Sequence, residues 1–159
     1  MKTNNKTIVL KKKVLKNVLA QINEGGVTYC PLLNIDYAKT KNIAISPFPE
    51  RSQVFKGKPT ERMLKSYCLK NNDLLNRGFS FGAWPDNSSK KTYFDISAPV
   101  PLSKKTKAIN LGKCANQIAG FNLFDFSEIP LGGTGEFKPA LITPFGDRLS
   151  MALKLLTNQ

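Results

Sequence analysis

Phe79-Ser-Phe-Gly-Ala-Trp84, Pro85-Asp-Asn-Ser-Ser-Lys-Lys91 and Thr92-Tyr-Phe-Asp-Ile-Ser97 follow one another without a break, and their reading decides the fold. Large apolar side chains alternate at 79 and 81. The centre is built of Pro, Asp, Asn and Ser, which favour turns through fixed φ angles and local side-chain hydrogen bonds. Alternation resumes from Thr92. Two alternating runs around a turn predict an antiparallel β-hairpin over 79–97. Strand geometry puts Phe79, Phe81 and Ala83 on one face and sets Tyr93 opposite Phe94. Ala98-Pro-Val-Pro101 is expected to break the second strand.

Upstream, Met63, Leu64, Tyr67 and Cys68, extending to Leu74 and Leu75, repeat at helical spacing. Thr60 suits the N-cap, Glu61 the first turn, and Arg77-Gly78 the end. Ser46-Pro-Phe-Pro-Glu-Arg-Ser52 reads as extended or turning, because a proline disfavours helix in the residue before it. Lys56-Gly-Lys-Pro59 continues as loop. Residues 27–29 and 42–46 read as short strands separated by a loop over 31–41. At the start, Leu10, Val14, Val18 and Ile22, with Leu15 and Leu19, form the stripe of a helix over 8–24 that Gly25-Gly26 stops. Downstream, Ser103 opens a helix through Ala108, Leu111, Cys114 and Ala115, and 118–126 reads as an apolar, aromatic strand. Ile129-Pro-Leu-Gly-Gly-Thr-Gly-Glu136 reads as a Gly-rich loop. Leu149, Leu153 and Leu156 suggest a C-terminal helix over 147–157. The expectation is one α+β domain over 1–159, with a small, mainly antiparallel sheet and about four helices. A chain of 159 residues can bury roughly two thirds of its unfolded surface and needs no covalent staples.

Charge is the strongest compositional signal. Lys and Arg number 24 against 11 Asp and Glu, a net +13. Residues 1–80 hold 15 basic and 5 acidic residues, so +10 of that excess lies in the first half. Such a field attracts polyanions, and nucleic acid or an acidic protein surface are the partners it implies. Lys11, Lys12, Lys13 and Lys16 lie mostly off the apolar stripe of the first helix, where they form either a solvated face or one that rests on nucleic acid or an anionic membrane. Lys90 and Lys91 sit at the tip of the hairpin among Phe79, Phe81, Trp84, Tyr93 and Phe94. Those aromatics read either as core or as a platform on which single-stranded bases stack. Lys outnumbers Arg 20 to 4, so binding would act through point charges with little sequence specificity. An AT-rich genome would produce the same bias.

Histidine is absent, which removes the Ser-His-Asp and Cys-His arrangements and leaves the chain leaning away from enzyme function. Cys30, Cys68 and Cys114 are odd in number and far apart, so they read as reduced thiols of a cytoplasmic-type compartment rather than a disulfide or zinc framework. No metal or cofactor is expected and no catalytic residue is assigned. The N-terminal segment lacks the apolar run of a signal peptide, and no stretch has transmembrane length. Gly132-Gly133-Thr134-Gly135 is a possible phosphate loop, though the GK[ST] of a P-loop is missing. Arg51, in the Pro-bounded loop beside Glu50, suits either a bidentate contact with a carboxylate or phosphate or an ion pair with Glu50 or another acid. Asn116-Gln117 either satisfies backbone groups of the following turn or binds a ligand.

Gly82-Ala-Trp-Pro-Asp86, Tyr93-Phe-Asp-Ile-Ser97, Asn116-Gln117-Ile-Ala119 and Glu128-Ile-Pro130 with Gly132-Gly-Thr-Gly135 together resemble a small uncharacterised family encoded by tailed bacteriophages and prophages. Ser46-Pro-Phe-Pro-Glu-Arg-Ser52 fits the same pattern, and the resemblance spans about 27–136. It implies a phage-encoded accessory or virion protein, in the cytoplasm of a bacterial host or in the particle. It assigns no activity. The leading expectation is a non-enzymatic, basic binding protein. One alternative is a virion or assembly component docking on other virion proteins through its terminal helices. Another is a small enzyme or nucleotide-ligand protein using the Glu50-Arg51 and 132–135 loops.

Overall fold

The computed structural model describes residues 6–156. Helices α1 (Lys12–Glu24), α2 (Glu61–Lys70), α3 (Asn72–Leu75), α4 (Lys105–Cys114) and α5 (Phe145–Leu155) accompany eight strands. These are β1 (Val27–Cys30), β2 (Ile35–Asp36), β3 (Asn42–Ile45), β4 (Gln53–Lys56), β5 (Ser80–Asp86), β6 (Lys91–Pro101), β7 (Ala119–Asn122) and β8 (Glu128–Pro130). The pairings are antiparallel, which makes the protein α+β. Contacts divide the chain into two units. One runs to Asp36 and adds Ser52–Ile96; the other comprises Tyr37–Arg51 and the chain from Ser97. Strand β6 contributes its first half to one unit and its second half to the other.

In the first unit the strands run β2-β1-β5-β6, and β4 lies along the first half of β6. The predicted hairpin is β5 and β6. Phe79, Phe81, Ala83 and Phe94 are buried as alternation requires. Phe81, Phe94 and Tyr67 of α2 meet edge-on or tilted, with centroids 4.9–5.6 Å apart, a geometry that aligns ring edges with ring faces. Leu64 and Cys68 of α2 and Leu15, Val18 and Ile22 of α1 complete this core. Thr60 caps α2, accepting from the Met63 N–H at 3.2 Å.

Helix α1 begins at Lys12 rather than at residue 8. The Ile8 N–H donates to Asn72 Oδ1 at 2.7 Å, and this long-range bond holds the chain extended just where the apolar spacing alone would continue the helix. Strand β4 replaces part of the expected loop. Its four residues are too short to read by alternation, and they are held by register with Phe94–Lys91 and by Phe55 packing edge-on to Phe94 at 4.8 Å.

The second unit orders its strands β6-β3-β7-β8. Here the expected break at 98–101 does not occur. Ala98 to Pro101 pair with Ile45 to Asn42. The Leu102 N–H donates to Lys41 at 3.0 Å, so even-numbered residues turn their N–H towards β3. Pro99 and Pro101 occupy the odd positions, whose missing N–H would point away from it, and the ladder loses nothing. The predicted strand at 118–126 is cut to Ala119–Asn122 by a tight turn before β8. Helix α4 packs on β3 and α5, burying Ala108, Leu111, Ala152 and Leu155 around Ile43 and Ile45. Helix α5 starts at Phe145, behind Pro144. Of the expected 147–157 helix, position 157 lies outside the described residues, as do positions 1–5 of the N-terminal segment.

Candidate functional site

The outward face of the first unit's sheet gathers the aromatic and basic residues of the hairpin. Alternation sends Phe81 and Phe94 inward and Trp84 and Tyr93 outward. The Trp84 and Tyr93 rings are stacked, 4.2 Å between centroids and 7° from parallel. Trp84 remains 46% exposed although it is an aromatic in the middle of a strand. Val54 of β4 stands opposite Tyr93 and is also exposed, and two residues further along Lys56 stands opposite Lys91. Both lysines are exposed, and neither has an ion-pair partner among the described residues. Like charges directly opposite each other on a sheet repel.

The turn that carries Lys90 is rigidly built. Asp86 accepts from the Ser88 N–H and hydroxyl and from the Ser89 hydroxyl. Those hydroxyls, followed by the turn's N–H groups, hold its carboxyl below the usual 3.8. Lys90 adopts φ 54°, and its carbonyl accepts from the Gly57 N–H at 2.9 Å. Lys11, Lys12, Lys13 and Lys16 are exposed in the same unit, off the buried Leu15–Val18–Ile22 face of α1. The aromatics of the hairpin therefore divide. Phe79, Phe81 and Phe94 are core, whereas Trp84 and Tyr93 form a flat π surface beside two unpaired cations. Such a surface can stack a base and draw in its phosphate. Lys56 was hidden from sequence reasoning because its strand resembled a loop. The only available hint was the Gln-Val-Phe-Lys alternation.

The other predicted positions lie in the second unit and are engaged internally. The Gly133 N–H donates to the Gln117 carbonyl at 3.1 Å, that of Gly135 to the Asn116 carbonyl at 2.9 Å, and that of Thr134 to Asn116 Oδ1 at 3.0 Å. The Asn116 amide returns bonds to Thr134 Oγ1 at 2.6 Å and to the Glu136 carbonyl at 3.1 Å. A Cβ on Gly133 would run into the backbone of Asn116 and Gln117. Three of the four N–H groups that a phosphate cradle over 132–135 would use are thus already engaged. Asn116-Gln117 serves backbone groups: Gln117 Oε1 accepts from the Ser46 N–H at 3.0 Å, and its amide donates to the Ala119 carbonyl at 2.7 Å.

Glu50 meets Arg148. Arg148 is only 3% exposed and holds Glu50 through both guanidinium ends, at 2.7 and 3.0 Å. It also donates to the carbonyls of Pro47, at 2.6 Å, and Thr143, at 2.7 Å. Arg51 places its guanidinium over the Phe145 ring at 5.7 Å, a cation–π distance. The scarcity of arginine pointed to a geometric task for Arg51; the bidentate carboxylate contact that the structure shows is made by Arg148. Arg148 lies on α5, and the tertiary fold turns it inward. The apolar faces of the terminal helices are spent on the core of their own units.

Burial drives the Cys68 thiol up to about 12 and raises that of Cys30, so neither serves as a nucleophile near neutral pH. Among the described residues no group of three or more Cys, Asp or Glu is placed to hold a metal ion. No described helix is long and apolar enough to cross a membrane. An open groove of about 550 Å³ separates β4 from α2 in the first unit, lined by Val54, Phe55, Met63 and Phe94, with Arg62, Gln53 and Ser66 as its polar groups. No protein-family model matches the chain, and neither a curated protein nor a solved structure is similar to it.

Proposed function

We propose that this protein is a non-catalytic, basic binding protein that takes single-stranded nucleic acid on the outward face of its first unit with little sequence preference. The observation that carries the reading is the exposed Trp84–Tyr93 stack beside the unpaired Lys56–Lys91 pair. An exposed indole costs solvation, and facing lysines cost Coulomb energy. A stacked base relieves the first and a phosphate the second. Lys90 and the lysines of α1 add long-range attraction. The resemblance of its motifs to a phage-encoded family supports a role in an infected bacterial cell or in the particle. Docking on virion proteins through the terminal helices is less well supported, because α1 and α5 bury their apolar faces at home.

Trp84 is the sole tryptophan, so its fluorescence reports the site directly. Titration with oligo(dT) at low salt should quench it, with an affinity that falls as salt rises. Single strands lose affinity with a slope of about −0.7 per phosphate contact in log–log form. Fluorescence that does not respond, together with anisotropy showing no binding at low salt, refutes the reading. Binding that survives Trp84→Ala unchanged but is lost when Lys11, Lys12, Lys13 and Lys16 become Gln would move the site to α1.

A further inference from the structure

The turn between β7 and β8 displays two aromatic side chains to solvent on a fixed frame. Phe124 is 52% and Phe126 49% exposed. The frame is dense in hydrogen bonds. The Asn122 N–H donates to the Ser127 carbonyl and the Phe126 N–H to the Asn122 carbonyl, both at 2.8 Å, and the Phe124 N–H to Asn122 Oδ1 at 2.9 Å. Phe126 sits at φ 61°, a left-handed conformation that is costly for a bulky residue. Between the two rings stands Asp125, exposed, with the Ser127 N–H and hydroxyl on its Oδ1. Those bonds, the hydroxyl's first, keep its carboxyl below the usual range, so it stays ionised. A rigid aromatic–acid–aromatic tip on a +13 chain is built like the anchor of a protein contact, because its rotational freedom is already lost before binding.

The groove between β4 and α2 has the complementary chemistry. Phe55, Met63 and Phe94 give it an apolar floor, and Arg62 stands in its lining with no ion-pair partner among the described residues. We infer that the occupant of this groove is the Phe124-Asp125-Phe126 tip of a second copy of this chain. A phenylalanine ring would enter between Phe55 and Met63, and the Asp125 carboxylate would meet Arg62. Tip and groove are different surfaces, so the contact is heterologous and propagates head to tail unless its rotation closes a ring. The inference is independent of the nucleic-acid reading, because neither Trp84 nor the lysines take part. Head-to-tail contact along a strand would make nucleic-acid binding cooperative.

The test is sedimentation of nuclease-treated protein at low salt. The wild type should show mass rising with concentration beyond one chain. Asp125→Lys, which keeps its groove, and Arg62→Glu, which keeps its tip, should each sediment as one chain. An equimolar mixture of the two should associate again, because the intact tip of one meets the intact groove of the other and the two reversed charges complement each other. The double variant Phe124→Ala/Phe126→Ala should be monomeric while its Trp84 titration with oligo(dT) still starts at low salt. A wild type that stays monomeric to about 0.5 mM, where even a millimolar contact would register, overturns the inference. So does association that persists in either single variant, or a mixture that stays at one chain.

Discussion

Reversing the charge of Lys91 should make the free protein more stable and its complex weaker. Lys91 and Lys56 face each other across β6 and β4. A like-charged pair directly opposite costs, and an opposite-charged pair gains, roughly 0.2–1 kcal/mol each. Lys91→Glu converts one into the other, so the swing is on the order of 1 kcal/mol. For a chain of 159 residues that raises Tm by about 2–4 °C. The gain should be largest in dilute buffer and shrink near 1 M salt, where the Debye length drops to about 3 Å. Binding should move the other way. Lys91→Gln deletes one phosphate contact, and the salt slope for single-stranded DNA should fall by about 0.7. Lys91→Glu adds repulsion and should weaken binding about tenfold or more, equivalent to roughly 1.4 kcal/mol. Differential scanning calorimetry at two salt concentrations gives the first quantity, and quenching of Trp84 gives the second. Melting that falls in Lys91→Glu would show that the lysines do not oppose each other. A salt slope unchanged in Lys91→Gln would show that this face meets no phosphate.

Three further outcomes test the frame around the site. Arg148→Met strands the Glu50 carboxylate and the Pro47 and Thr143 carbonyls. Urea unfolding should register a loss of about 3 kcal/mol, and Arg148→Lys should recover only part of it, since an ammonium cannot span both carboxylate oxygens. Gly133→Ala should destabilise the second unit, because its Cβ meets the backbone of Asn116 and Gln117; a melting temperature unchanged from wild type would contradict this close packing. Cys68, with its thiol pushed up to about 12 by burial, should resist maleimide at pH 8 in the folded protein and react once urea unfolds it.

The hairpin, α2, α4 and the α+β class were legible in the sequence because each depends on local periodicity. Alternation over residues 79–97 places apolar groups on one face of a strand whatever the rest of the chain does, and the Thr60 cap acts within four residues. The basic excess and its concentration before residue 80 are likewise properties of composition alone. What sequence could not decide was set by partners distant along the chain. Strand β4 exists because Phe94 and Lys91 lie alongside it. Pro99 and Pro101 stay in a strand because β3 binds only the intervening residues. Arg148 turns inward because Glu50 and Pro47 await it nearly a hundred residues earlier. The same holds for the candidate site. Sequence supplied the aromatics and lysines of the hairpin, but periodicity cannot separate a buried ring from a displayed one when both faces carry aromatics. Burial is a property of the neighbouring elements, and only the packed sheet sends Phe81 and Phe94 into the core and leaves Trp84 stacked on Tyr93 in the solvent.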